Sequence, residues 1–154
     1  MTRLINGIEP GPNSPLVAKM RGCRSEEVEG QLCDDFVARA PRGSVVNLSQ
    51  PRESMLTRGL PDRRYRFYGV SFFYELKAED GQLTPSQHAF LLDELSSGAL
   101  AACGTLDDLQ QIAVRVAAAG PYAALASYCH ALVQRWAAKG YRREDLRPRR
   151  RRRR

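Results

Sequence analysis

The sequence predicts an α/β protein, with a mixed β-sheet core flanked by helices, an additional C-terminal helix and a basic tail. Helical and strand patterns follow each other in the order α-β-β-β-α-β-α, before one last helix. The aromatic-rich run at residues 70–78 starts apolar on both faces, which is typical of a central strand. The chain has 154 residues, 43% of them hydrophobic and 27% charged, which suffices for one globular domain.

The N-terminal part is predicted to contain a leader, a helix, a short strand and a loop. Residues 1–24 hold three prolines and three glycines, which indicate an irregular leader. Ser25 suits the N-cap of a helix over 25–40, which a Pro-Arg-Gly sequence ends. A strand is expected at 45–48, followed by a polar, mobile loop at 49–60.

A β-hairpin is predicted next, from a strand at 62–67, a turn at 68–69 and a strand at 70–78. Alternate residues of a strand point to the same face, so Glu75 and Lys77 project together. Two charges at the end of a central strand are costly unless they are paired or bind a metal.

The second half of the chain is predicted to form three helices and one strand. Thr84 is expected to cap a helix that ends near Gly98, with proline in the first turn and Gln87 completing a capping box. A strand at 100–103 leads into a helix over 105–119, and a final helix runs from 122 to 138.

These elements divide the chain into the leader, a central α/β domain at 25–119, an appended helix at 120–140 and a disordered arginine-rich tail at 141–154. The final helix carries an apolar stripe that suits either the core or a dimer surface, so a homodimer is compatible with the sequence. Trp136 is the candidate interface anchor in the second case.

The net charge of +7 resides in the tail. Arg147 and residues 149–154 supply seven of the 24 basic residues, and the remaining 17 match the 17 acidic residues. Such a tail binds nucleic acid through phosphates, with Arg149, Arg150 and Arg151 as candidate contacts. A merely solvated terminus explains the same composition.

The best candidate chemistry is a divalent-metal site. Asp62 stands at the start of the hairpin and can reach Glu75 from the neighbouring strand. Magnesium binds one or two carboxylates plus waters and substrate oxygens, and the backbone carbonyl of Leu76 offers a third oxygen. Lys77 is expected to orient a water or to neutralise charge on a phosphate. The alternative is an ordinary surface strand with a Glu–Lys pair. The four cysteines are too scattered for a zinc site.

The motifs Gly-Leu-Pro-Asp at 59–62, Glu-Leu-Lys at 75–77 and Gly-Gln-Leu-Thr-Pro-Ser-Gln at 81–87 resemble the VRR-NUC branch of the PD-(D/E)xK nuclease superfamily. The resemblance covers roughly residues 25–109. It implies a restriction-endonuclease-like fold and Mg²⁺-dependent or Mn²⁺-dependent cleavage of branched or flapped DNA. It also implies that Asp62, Glu75 and Lys77 are catalytic and that Gln87 lies close to them.

Many members of the superfamily add a glutamate from the first helix. Glu26, Glu27 and Glu29 are the candidates. At 100° per residue Glu29 falls on the apolar stripe of the helix, where a carboxylate needs a partner, so Glu29 is the expected choice. The alternative is a charge that interacts with the helix dipole.

Four arginines surround Asp62 in the sequence and are expected to hold DNA phosphates beside the metal, although any one of them can instead pair with an acid. They are Arg58, Arg63, Arg64 and Arg66.

The sequence therefore predicts a metal-dependent DNA endonuclease, structure-specific for junctions or flaps, in recombination, repair or phage DNA processing. The alternatives are a sequence-preferring or nicking nuclease and a catalytically silent nucleic-acid-binding protein. An RNA-binding regulator is disfavoured, because the sequence contains no aromatic RNA-recognition motif. No membrane span or signal peptide is recognisable, so the expected location is the cytoplasm of a bacterial or phage-infected cell, in association with the nucleoid.

Overall fold

A four-stranded mixed sheet lies at the centre of the protein in a computed structural model, which describes residues 23–49 and 58–143. Most of the predicted leader, residues 50–57 of the predicted loop, and residues 144–154 of the predicted tail lie outside the described residues. Arg149, Arg150 and Arg151 are among them.

The predicted order of elements and the mixed α/β class are confirmed, and the bounds differ from the predicted ones by no more than two residues. Ser25 caps the first helix as expected, since its Oγ accepts from the Val28 N–H. The elements are α1 (Glu26–Arg39), β1 (Ser44–Asn47), β2 (Arg63–Phe67), β3 (Val70–Leu76), α2 (Pro85–Ser96), β4 (Ala101–Gly104), α3 (Leu106–Ala117) and α4 (Tyr122–Ala137).

The strands lie in sequence order, β1-β2-β3-β4, with the first two pairs antiparallel and β3–β4 parallel. Tyr68 and Gly69 connect β2 to β3, and both have positive φ, 50° and 77°. Two such residues match the right-handed twist of the flanking strands. The register pairs Arg63 with Tyr74, so the start of β2 lies beside the end of β3. This placement brings together the two ends that carry the predicted site.

Helices cover both faces of the sheet. On one face, aromatic rings of β2 and β3 meet edge to face, as Phe67 does with Phe72, and Phe36 of α1 packs on Phe67. On the opposite face, Phe90 of α2 packs edge to face on Phe73. The sheet therefore lies between helices, although Arg64 and Arg66 of β2 remain exposed on the second face.

Helix α4 belongs to the same core as the rest of the fold. It contacts β4, α2 and α3, and β4 is fully buried although it is the last strand of the sheet. The inner part of the predicted apolar stripe is buried in this core, including Trp136, which is 3% exposed. Trp136 is thus not available as an interface anchor. The buried residues of α4 are Leu125, Cys129, Leu132, Val133 and Trp136.

None of the helices in the described part of the chain is long and apolar enough to span a membrane.

If α4 is a core element, shortening one of its buried side chains destabilises the whole domain. Leu132→Ala is expected to lower the free energy of unfolding by about 2–5 kcal/mol in one cooperative transition, measured by urea denaturation. Val114→Ala, at a side chain 61% exposed, is the control and changes little. A separate early transition of α4, or an unchanged midpoint in Leu132→Ala, would contradict this role.

Candidate active site

Asp62 and Glu75 hold each other in place across the β2–β3 pair. The Asp62 N–H donates to Glu75 Oε2 at 3.2 Å, and the Leu76 N–H donates to Asp62 Oδ2 at 3.2 Å. Each carboxylate therefore accepts from the backbone of the neighbouring strand. The predicted approach of Asp62 to Glu75 is observed.

Lys77 lies beside these carboxylates with its side chain buried. Its Nζ is 3.6 Å from Glu75 Oε1, and only 3% of the side chain is exposed. The Lys77 N–H donates to the Gly104 carbonyl at 2.9 Å, which continues the pairing of β3 with β4 beyond Leu76. Glu75 and Lys77 thus point to the same side, as their spacing predicts.

Gln87 joins the N-terminus of α2 to the site. Its backbone N–H donates to Thr84 Oγ1, and its side-chain Oε1 accepts from the Thr84 N–H, so the predicted capping box is confirmed. Its Nε2 donates to Glu75 Oε1 at 2.8 Å. One side chain therefore both caps the helix and orients a carboxylate of the site.

The first helix contributes Glu26, not Glu29, to this cluster. Glu26 Oε1 lies 3.7 Å from Lys77 Nζ. Glu29 is buried, as its place on the apolar stripe predicts, but its Oε1 accepts from Arg24 Nε and its Oε2 from the N–H of Leu106, the first residue of α3. The helical angle places both glutamates on similar sides of α1, but Glu29 lies one turn further along the axis, under α3. The two glutamates therefore differ in their position along the helix axis, which a helical wheel does not show.

The Gly-Leu-Pro-Asp motif touches the start of α2. Gly59 has φ of 74°, and a Cβ built on it collides with the Ser86 carbonyl and lies 2.9 Å from the Gln87 nitrogen. Only glycine fits this approach without strain. The two motifs are therefore in direct contact, and Gly59 sets the distance between them.

The four arginines around Asp62 have different roles. Arg63 does not suit the predicted phosphate contact, because Asp34 holds its guanidinium through two hydrogen bonds of 3.0 and 3.3 Å and only 13% of the side chain is exposed. Arg63 also donates to the Asp62 carbonyl at 3.0 Å, so it supports the backbone of the site. Arg58, Arg64 and Arg66 are exposed and remain candidates.

Asp34 is a residue that sequence reasoning missed. Besides Arg63, it accepts from the Tyr65 hydroxyl at 2.7 Å, and it thereby ties α1 to β2. Asp34 lies about 30 residues before Arg63 and Tyr65 in the sequence. A local sequence pattern cannot identify partners at that separation.

Burial and charge shift the pKa values of the two acids next to Lys77. Burial raises the pKa of Glu75 well above its ordinary value, and the charge of Asp62 adds to this increase, while Lys77 opposes it. Burial also raises the pKa of Glu26, against the opposing charges of Lys77 and Arg142. The cluster thus holds more negative charge than Lys77 alone balances, which favours a bound proton or an added cation.

The carboxylates of this cluster suit a magnesium ion that takes most of its ligands from water and substrate and only one or two from the protein. Within the described residues, no group of three or more His, Cys, Asp or Glu side chains is arranged to hold a metal. Asp62 and Glu75 nevertheless supply the one or two carboxylates that magnesium commonly takes alongside waters and substrate oxygens. The Leu76 carbonyl as a third oxygen stays a prediction. Cys33, Cys103 and Cys129 are buried, as expected of structural thiols.

Comparison of the chain with known protein families, curated protein sequences and solved structures finds no match. The resemblance to the VRR-NUC nucleases stays a prediction from the three sequence motifs.

Gly59→Ala is expected to separate the Gly-Leu-Pro-Asp motif from the start of α2. A Cβ at this position collides with the Ser86 backbone, and the positive φ disfavours alanine, so a loss of about 1–3 kcal/mol in unfolding free energy follows. Gly120→Ala is the control, because no atom lies within 4 Å of its Cβ position. Thermal or urea unfolding of the two variants measures the difference, and equal stability would refute the close contact.

The raised pKa of Glu75 predicts a pH-dependent stability in metal-free buffer. The folded protein keeps a proton that the unfolded chain releases near pH 4.5, so this contribution is complete below that pH and is lost as the pH rises through the folded pKa. Unfolding free energy is expected to fall by about 1.4 kcal/mol per pH unit for this proton. Glu75→Gln should lack that slope, whereas the exposed control Glu27→Gln should retain it. Urea titrations with EDTA from pH 5 to 8 test this, and equal slopes in both variants would count against it.

Proposed function

We propose that this protein is a Mg²⁺-dependent endonuclease that hydrolyses phosphodiester bonds in DNA, with Mn²⁺ as a substitute. The observation that supports it is the contact of Glu75 with Asp62, Lys77 and Gln87 at one end of β3. The resemblance to VRR-NUC nucleases marks Asp62, Glu75 and Lys77 as catalytic and places Gln87 close to them.

Burial makes a purely structural role for this cluster expensive. Glu75 and Lys77 are each only 3% exposed, and holding either of them charged away from water costs several kcal/mol before any attraction is counted. Apolar side chains would fill the same space at lower cost. Clusters of buried groups with shifted pKa values are concentrated at functional sites, which supports a catalytic purpose.

Asp62 and Glu75 would hold the metal ion. Bound there, magnesium would polarise the phosphate and lower the pKa of a water molecule. Glu75 has to be ionised to act as a ligand, so its raised pKa couples metal affinity to pH. Gln87 keeps one oxygen of Glu75 in a fixed direction through its 2.8 Å hydrogen bond.

Lys77 is suited to stabilise charge that develops on the phosphate. Its ammonium is desolvated and held between Glu75 and Glu26, so its position requires no reorganisation when a phosphate binds. Glu26, with a side chain 49% exposed, is the carboxylate of the cluster that lies nearest to solvent. It is placed to accept a proton from water entering the site.

The substrate would reach the site across an exposed face of the sheet. Arg64 and Arg66 point away from the aromatic core, and Arg64 pairs with Phe73, which shares its face with Glu75. Two exposed arginines on the approach to two carboxylates suit a phosphate backbone. We infer branched or flapped DNA as the substrate from the resemblance.

A panel of labelled DNA substrates tests this function. Wild-type protein should cut a four-way junction, a 5′ flap or a 3′ flap with Mg²⁺ or Mn²⁺, and should not cut with EDTA. Lys77→Met should reduce the cleavage rate by about 100-fold to 1,000-fold, because it removes charge stabilisation of the phosphate and a partner of Glu75, and it should leave DNA binding intact. Asp35→Asn, which removes an exposed ion pair with Arg39, is the control and should cut normally.

Each alternative has its own outcome in the same panel. A wild type that binds DNA and cuts none of it with either metal is a silent DNA-binding protein. Cutting of linear duplex at preferred sequences indicates a restriction-like or nicking enzyme. If Asp62→Asn cuts as well as Asp35→Asn, the catalytic centre lies elsewhere.

A further inference from the structure

The chain that follows α4 returns to the segment in front of α2. Tyr141 forms a parallel β-bridge with Leu83, and the Arg142 N–H donates to the Leu83 carbonyl at 2.8 Å. We refer to residues 139–143 as the C-terminal strap. The strap is thus fixed by backbone contacts to the residue just before the cap of α2.

Side chains attach the strap at several further points. Lys139 Nζ donates to the Glu79 carbonyl at 2.8 Å, and Gln82 Nε2 donates to the Lys139 carbonyl at 2.9 Å. The ring of His88 lies 2.7 Å from the Tyr141 hydroxyl through Nδ1. These contacts give the strap a defined position relative to α2.

That position is the rim of the candidate active site. Leu83 is followed by Thr84, whose capping partner Gln87 contacts Glu75. The positive charge of Arg142 acts on Glu26, which in turn pairs with Lys77. The strap therefore approaches the carboxylates from the side of α2, whereas Arg64 and Arg66 lie on β2.

The strap presents two adjacent arginines to solvent. Arg142 and Arg143 are both exposed, and within the described residues neither forms an ion pair. The rest of the strap is held by uncharged contacts or by Lys139, so these two guanidinium groups are not needed to fix it. Further arginines follow the strap in the sequence, at position 147 and at positions 149–154.

We propose that Arg142 and Arg143 form a second phosphate-contact surface, on the α2 side of the site, which binds the DNA backbone next to the bond that is cut. This inference rests on the proposed function for its substrate. It differs from a general affinity of the arginine tail, because it assigns the contact to two residues that backbone contacts hold beside the start of α2.

Binding in EDTA measures the surface without cleavage. Fluorescence anisotropy of a labelled duplex and a four-way junction, over a series of salt concentrations, gives the slope of log K against log [salt]. R142E/R143E should reduce this slope by about 2, since each lost phosphate contact removes about 0.9. The affinity at low salt should fall at least tenfold. In cleavage assays KM should rise.

The control variant is R39E/R42E, which carries the same change in charge at the end of the sheet opposite the candidate active site. Arg39 and Arg42 are exposed, and the Arg42 guanidinium lies 3.9 Å from the Cβ position of Gly69 in the hairpin turn. R39E/R42E should therefore keep most of the slope. Urea midpoints of both double variants show whether each is folded, and an unfolded R142E/R143E is replaced by R142Q/R143Q with the same expected direction.

The outcomes separate this inference from the proposed function. Equal salt slopes in R142E/R143E and R39E/R42E overturn the strap surface, even if the protein cuts DNA. A wild type that binds DNA but never cuts it overturns the nuclease function, while a selective loss in R142E/R143E still supports the surface. A wild type that does not bind DNA overturns both.

Discussion

The buried carboxylate of Glu75 is the interaction on which the rest of the site depends. It accepts from the Asp62 backbone and from Gln87, and it lies 3.6 Å from Lys77. A buried charge is tolerated only when its partners are close and well oriented, so each contact constrains the segment that supplies it. The register of the β2–β3 hairpin and the first turn of α2 are both fixed in this way, and through Lys77 so is the start of α1 at Glu26.

The fold separates an aromatic core from a polar end of the sheet. Rings from β2 and β3 stabilise the middle of the sheet by edge-to-face packing under α1. This apolar body supports the buried groups Glu75 and Lys77 at the end of β3, where electrostatic interactions are strong. Arg63 and Asp34 connect the two regions, since their ion pair joins α1 to the residue beside Asp62. The precision of the candidate site therefore comes from side chains that belong to the scaffold.

Helix ends and glycines do much of the positioning. Gln87 serves both the capping box and Glu75, so a local signal for helix initiation also orders the site. Glu29 does the corresponding task for α3 by accepting from its first N–H group. Gly59 allows the loop before β2 to approach the backbone of α2 closely. In each case a residue that the local structure already explains also contacts and positions a group from another element.

Local patterns in the amino-acid sequence were enough to predict the order and bounds of the elements, the capping box at Thr84 and the shared face of Glu75 and Lys77. These depend on periodicity and on contacts within about four residues, which short-range patterns express. Three further features became clear only from the folded chain: Glu26 rather than Glu29 pairs with Lys77, Arg63 turns inward to Asp34, and α4 completes the core. The reason is physical: a pattern gives the direction of a side chain around its own element, but its depth and its partner depend on how distant segments pack.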